Sequence, residues 1–209
     1  MRTDDLIRAL AADPVKEQVI TRSLLLATLF GGIVSIIGLV AFMGVREDLI
    51  EALATWRFDV KLAVMGALLT AALVDALRRM RPIARSRPTL YAAPIALLLA
   101  AILSELMLSP SSRWSQLLVG TNSLVCLAAI PLLSLTPLAA ILVAMRRGAP
   151  SSPSATGACA GCLAASIGAF LYGLHCIDDS PLSVATWYTL AILPVIGLGA
   201  LAGRRLLRW

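Results

Sequence analysis

The fold class that this sequence predicts is all-α: a polytopic membrane protein with a six-transmembrane-helix bundle and a short cytoplasmic N-terminal helix. Three observations predict it. Only 14% of the residues are charged and 59% are hydrophobic, with a mean hydropathy of +0.87, whereas soluble domains carry about a quarter charged residues. The apolar residues gather in six runs, near the roughly 20 residues that a helix needs to cross a bilayer. Lys and Arg collect in alternate connections, as the positive-inside rule requires of a chain that crosses back and forth.

Taken in order, residues 1–22 form a tail and residues 23–209 the six-span domain. The runs are Leu24–Val45, Leu62–Leu77, Leu90–Leu108, Leu117–Ala144, Ala155–Leu174 and Val184–Ala202. The second is short and extends back through Trp56 and Phe58 at the interface. The fourth is long and holds Pro131 and Pro137, which predicts a kinked or broken helix. Each run is helical because lipid offers backbone groups no hydrogen-bond partner. Gly157 and Gly161, then Gly199 and Gly203, recur at the spacing that lets helices approach closely. The loops are short, with no soluble domain among them and no internal repeat; the richest in Pro and Ser is Gly148–Gly157.

With six spans both termini share one side, and that side receives 14 of the 18 basic residues. Arg46, Arg57, Lys61 and Arg113 remain opposite. Both termini are therefore expected in the cytoplasm. The net charge of +6 does not mark a nucleic-acid binder, because the cations sit at helix ends where they meet anionic headgroups. The first 22 residues carry four acids, unlike a cleavable signal peptide, so the first span is expected to stay as an anchor.

The tail opens TDDLIRALAAD. Thr3 suits an N-cap, and Asp4 and Asp5 fall in the first turn, where the helix dipole favours them. Leu6, Ile7 and Leu10 share a face, and Pro14 ends or kinks the helix. Such a short helix is marginal alone in water and gains order by docking its apolar face, either in a partner's groove or on the membrane surface. Surface helices favour a basic polar face. Asp4, Asp5 and Asp13 therefore favour a basic protein partner.

Four cysteines are the other chemical candidates. Cys159 and Cys162, in the sequence CAGC, share one helix face near the cytoplasmic end of the fifth span. They read either as small packing residues or as a redox pair; a zinc site lacks further ligands nearby. Cys126 and Cys176 belong to the outer half of the bundle, with Cys126 expected roughly 13 Å inward from Leu117 at 1.5 Å per residue. On an oxidising face the two thiols suit a disulfide. They equally suit a transient soft cation, with His175 as a nitrogen ligand. Asp178 and Asp179 read as solvated loop acids, and Asp75 and Glu105 as interfacial ones. The single histidine leaves catalytic schemes unpopulated, and neither enzymatic activity nor a resident cofactor is expected.

The opening TDDLIRALAAD, the segment CLAAIPLLSLTPLAAILVAMRRGAP and the close YGLHCIDDSPLSVATWY…LLRW resemble the NrsF family of bacterial membrane-bound anti-sigma factors. The likeness runs in order along essentially the whole chain, and its most specific element is HC-x-D-D-S-P before a Trp-Tyr pair. The resemblance implies a protein that holds an extracytoplasmic-function sigma factor at the inner membrane, away from RNA polymerase. It implies that Asp4, Asp5, Leu6, Ile7, Leu10 and Asp13 bind the sigma factor, and that Cys126 and Cys176 sense metal or oxidative stress. Cys159 and Cys162 lie outside the family pattern. The competing reading is a membrane thiol-disulfide oxidoreductase using CAGC with Cys126 and Cys176. The 30 Å or so of bilayer between the two pairs opposes it.

Overall fold

The structure, a computed structural model, describes residues 14–81, 87–148, 150 and 152–208. Six long helices are α1 (Pro14–Phe42), α2 (Trp56–Arg79), α3 (Ala92–Leu108), α4 (Ser123–Met145), α5 (Pro153–Gly173) and α6 (Thr189–Leu206). Short turns extend several of them. A 3₁₀ turn, Pro88–Tyr91, leads into α3; the helical turn Trp114–Val119 precedes α4; and a π turn, Val184–Tyr188, runs into α6. No strand occurs among the described residues. With these extensions, six helical stretches are long and apolar enough to cross a membrane. The second begins at Trp56, as expected from the sequence.

The helices are arranged around α5. In α5, 78% of the most apolar stretch is buried, against 17–39% in the other five, which makes it the centre of the bundle. It packs on α1, α2, α4 and α6. Its composition explains how: PSATGACAGCLAASIGAFLYG is mostly Gly, Ala, Ser and Cys, and small side chains let neighbouring backbones come close. A Cβ added at Gly157 would lie 2.2 Å from the Gly199 carbonyl oxygen, and one at Gly199 would lie 2.4 Å from that of Gly157. Gly161 meets the Val195 carbonyl and Gly203 that of Pro153 in the same way, at 2.5 Å each. The two glycine pairs singled out in the sequence thus form the α5–α6 contact. The outer faces carry Leu29, Phe30, Ile37, Leu103 and Leu201, all exposed, while charged groups lie inside.

The fourth span departs from expectation. It breaks at Gly120–Asn122 and not at its prolines, and α4 runs on through Pro131 and Pro137. Proline leaves the carbonyl four residues earlier without an intrahelical donor. For Pro137 that carbonyl belongs to Leu133, and Ser35 of α1 donates its hydroxyl to it at 2.6 Å. Gly31 sits against the same proline, where an added Cβ would fall 2.5 Å from the Pro137 Cα. A serine and a glycine one turn apart on α1 therefore accommodate the proline, and the helix continues.

The α5–α6 contact has a direct test. Gly157→Leu places a side chain where Gly199 backbone already stands, and overpacking of this kind costs on the order of 1–3 kcal/mol or more. The variant is expected to melt clearly below wild type in detergent, as read by a thermal-shift assay. Gly197→Leu, on an open face of α6, is expected to melt as wild type does.

Candidate functional site

The segment HCIDDSP follows directly on α5. The helix closes with the amides of His175 and Cys176 both donating to the Tyr172 carbonyl, at 3.0 and 2.9 Å. The chain then runs without helix until Pro181. Asp178 ties this segment to the break before α4. Its carboxylate accepts from the amides of Thr121 (2.9 Å) and Asn122 (2.7 Å) and from the Thr121 hydroxyl (3.0 Å). Gly120 makes room for it: the glycine has φ +63°, and an added Cβ would be 2.7 Å from the Asp178 carboxylate.

That tie sets the register between Cys176 and the start of α4. Cys126 lies in the first turn of α4, with its amide on the Asn122 carbonyl at 2.9 Å. The two sulfurs are 3.9 Å apart and both side chains are buried. Because the span breaks at Gly120, Cys126 stands at the tip of α4 and not deep within a continuous helix, as counting from Leu117 had implied. Tyr172 and Tyr188, with ring centroids 5.9 Å apart, stand beside the thiols. Among the described residues neither tyrosine hydroxyl has a hydrogen-bond partner.

Asp179 does the second half of the work. Arg46 donates to its carboxylate at 2.8 Å, and Lys61, fully buried on α2, pairs with the same group. Lys61 also donates to the Cys176 carbonyl at 2.9 Å. Arg46 is held in turn by Asp48 at 2.7 Å, and both cations lie over the Phe58 ring, at 5.3 and 5.0 Å from its centroid. Beside Asp48 and Asp179 the Arg46 guanidinium is held charged well beyond its usual range. Asp48 beside Arg46 is shifted below the usual carboxylate range.

The effect on Cys176 is chemical. A hydrogen bond from Cys126 stabilises its thiolate and burial opposes this; the Asp178 backbone and the Lys61 charge then assist, so the thiol is pulled down to about 7. A low thiol pKa makes a nucleophile and a metal ligand. The pair can close to a disulfide, which needs sulfurs about 2.0 Å apart, or share a soft cation. His175 points elsewhere: its Nδ1 is 3.0 Å from the Gly44 carbonyl oxygen, which places the proton on that nitrogen. Among the described residues no three His, Cys, Asp or Glu side chains converge as a metal-holding group. A cavity of about 560 Å³, with Arg57, Gln116, Leu117, Ile177, Asp178 and Asp179 among its lining residues, opens against the Asp178 tie.

Several expectations are therefore corrected. Asp178 and Asp179 are anchors of the site, not solvated bystanders. Asp75 and Glu105, each within a turn of its helix end, are buried and paired inside the protein: Asp75 pairs with Arg79 of its own helix at 2.8 Å, and Glu105 takes Arg57 in a two-pronged bridge at 2.8 and 2.9 Å. The signal was present in the sequence, since Arg46, Arg57 and Lys61 are cations on the side that positive-inside counting leaves poor. Cys159 and Cys162 are buried in α5, with the Cys159 sulfur 3.7 Å from the Ala72 carbonyl. Eleven residues of helix, roughly 16 Å, separate Cys162 from the end of α5, so the two pairs are not in contact. Asp4, Asp5, Leu6, Ile7, Leu10 and Asp13 lie outside the described residues.

Comparison with known proteins bears on the whole chain. Residues 9–209 match the model of the NrsF family, described as negative regulator of sigma F. The chain is 34% identical, over the full length of both proteins, to the anti-sigma-F factor NrsF of Caulobacter vibrioides. It is 32% identical, again over both full lengths, to a protein of Azospira oryzae named "Probable anti-sigma-F factor NrsF". No solved structure matches it.

Two measurements test the site. Asp179→Asn leaves Lys61 and Arg46 without their shared counter-charge, and breaking a buried pair costs about 3–5 kcal/mol. The variant is expected to lose thermal stability, and adding Lys61→Met is expected to restore part of it. The second concerns reactivity. In a Cys159→Ala/Cys162→Ala background, iodoacetamide labelling of Cys176, followed by mass spectrometry, should rise as pH passes through about 7. The thiolate is the reactive form and gains population above that pH. With Cys126→Ser the rise is expected to move up toward the ordinary thiol value of 9.0.

Proposed function

The chain belongs to the NrsF family of negative regulators of sigma F, and from that premise we propose what it binds and what it senses. It is an anti-sigma factor that sits in the bacterial inner membrane with both termini in the cytoplasm. It sequesters an extracytoplasmic-function sigma factor there and releases it when Cys126 and Cys176 are metallated or oxidised. The observation that carries the sensing half is the sulfur–sulfur distance of 3.9 Å between residues fifty positions apart. The bilayer placement is supported by six helices of spanning length and by the excess of cations on the side of the termini.

The tail, residues 1–22, is the sigma-factor-binding element, with Leu6, Ile7 and Leu10 as its apolar face and Asp4, Asp5 and Asp13 meeting a basic surface. A physical route connects it to the thiols. Cys126 begins α4; α4 is locked to α1 through Ser35 on Leu133 and Gly31 on Pro137; and α1 continues from the tail. Drawing Cys126 toward Cys176 favours one arrangement of α4 relative to α5, and α1 follows α4. A ligand shifts such an equilibrium only by its differential affinity for the two states, and two thiolates, one in α4 and one in the segment that follows α5, provide that difference. Two thiols are enough for a transient soft cation, with His175 available only after it leaves Gly44. Cys159 and Cys162, in the N-terminal half of α5 and roughly 16 Å or more from its end, take no part, which leaves the oxidoreductase reading without an electron path.

Co-purification of the cognate sigma factor from membranes is the test. Wild type is expected to retain it and to release it on exposure to Zn(II) or diamide. Leu6→Asp with Leu10→Asp should fail to retain it; retention would sink the docking model. Cys126→Ser with Cys176→Ser should retain it under both stresses, and release would sink the sensor.

A further inference from the structure

A second cavity, of about 530 Å³, lies between α2, α3, α5 and α6. Its walls are apolar, with Leu68, Ile95, Leu98 and Ile192 among them, and it follows α2 from Val64 to Arg79. Those fifteen residues of helix span roughly 22 Å, so the cavity is long as well as narrow. It lies at an edge of the bundle, because α3, which forms one wall, is the least buried span at 17%.

One end is polar. Asp75 is buried there with a relative exposure of 1%. Its Oδ2 accepts from Arg79 Nε at 2.8 Å and from the Tyr91 hydroxyl at 3.3 Å. Among the described residues its Oδ1 has no hydrogen-bond partner, with the Cys159 thiol close to the carboxyl group. A buried carboxylate oxygen left unsatisfied is costly, and such an atom calls for a missing donor. Arg79 and Tyr91 line the same end, and Arg78 is the adjacent residue of the helix terminus.

We propose that this groove binds one phospholipid with an ethanolamine head group. One acyl chain lies along the apolar wall, the primary ammonium donates to Asp75 Oδ1, and the phosphate rests beside the positive charge of Arg78 and Arg79. The assignment rests on the membrane placement proposed above. Each part of the lipid answers an observation. The length and apolarity of the groove fit an acyl chain, and its volume is that of a small-ligand site, about 300–1,000 Å³; a helix, about 10–12 Å across with its side chains, is too bulky for it. The orphan carboxylate oxygen selects a cation carrying N–H donors. A phosphatidylglycerol head would bring a phosphate to Asp75 with no ammonium to offset it, and a choline head has no N–H to donate. Cys159 and Cys162 line the cavity, which gives the CAGC pair a role as a neutral, polarizable wall.

Native mass spectrometry of the full chain, released from nanodiscs holding equal phosphatidylethanolamine and phosphatidylglycerol, is the test. Wild type is expected to retain one phosphatidylethanolamine with about a tenfold preference, the size of one hydrogen bond to a charged group. Asp75→Asn should lose the preference. Ala158→Phe, which fills the groove without changing charge, should reduce retention about tenfold while Cys126–Cys176 oxidative cross-linking proceeds as in wild type. Equal retention of the two lipids by wild type, undiminished retention by Ala158→Phe, or a second copy of the chain in place of lipid each overturns the assignment. A carbonate wash separates the two readings. A chain that the wash strips from membranes defeats the membrane placement, whereas a chain that stays without lipid preference defeats only the groove.

Discussion

The close approach of α5 to its neighbours is the constraint on which the rest of the structure depends. Its small residues bring the α6 backbone to within 2.2 Å of where a Gly157 side chain would begin. Dispersion between backbones at this range contributes directly to holding the bundle together. The consequences run along the whole length of α5. At one end it delivers Cys176 and the segment after it into contact with α2 and the tip of α4. At the other it leaves the bulkier walls of α2, α3 and α6 to enclose a groove that α5 is too slender to fill.

The charges inside the bundle obey a second rule: each is paired. Glu105 takes Arg57, Asp75 takes Arg79, and Asp179 takes both Lys61 and Arg46. Ionisable groups at such depth are tolerated only with partners, and breaking one pair leaves a buried charge uncompensated. The Asp179 cluster differs from the others in what else it holds. Lys61 reaches the backbone carbonyl of Cys176, so the same bridge that neutralises a buried ammonium also fixes a reactive thiol. Stability and the poise of Cys176 are thereby coupled, and neither charge is free to vary alone.

How much of this was legible in the sequence follows from what each feature depends on. The six helices depend on length and composition, so their existence and most of their limits were readable, including the start of α2 at Trp56; α1, however, begins at Pro14, ten residues before the expected Leu24, with the proline opening the helix. The glycine pairs depend on spacing along one helix and were readable too. The break before α4 was signalled by Gly120, Thr121 and Asn122, a turn cluster inside an apolar run, yet Pro131 and Pro137 drew the attention instead. Proline breaks a helix only if nothing satisfies the freed carbonyl, and Ser35 lies 98 residues from Leu133. Such remote partners escape any local reading. The same holds for Asp178 and Asp179: an acid between two spans reads as solvated until a cation from another helix is known to reach it.

The sensing role proposed for the thiols fits their placement. A sensor pair on one helix would report nothing, since ligation would leave the helix as it was. Cys126 and Cys176 sit on opposite sides of a joint that Asp178 closes with three hydrogen bonds to the break before α4. That joint is polar and lies against a cavity of about 560 Å³. In the proposed sensing, a change of about 2 Å in sulfur separation has to be taken up at this joint. In that proposal the motion would pass to α4, whose proline is keyed to α1 by Ser35 and Gly31. The side chains that let a proline-containing helix stay intact are thus the ones that tie the thiol end of the bundle to the helix leading into the N-terminal tail.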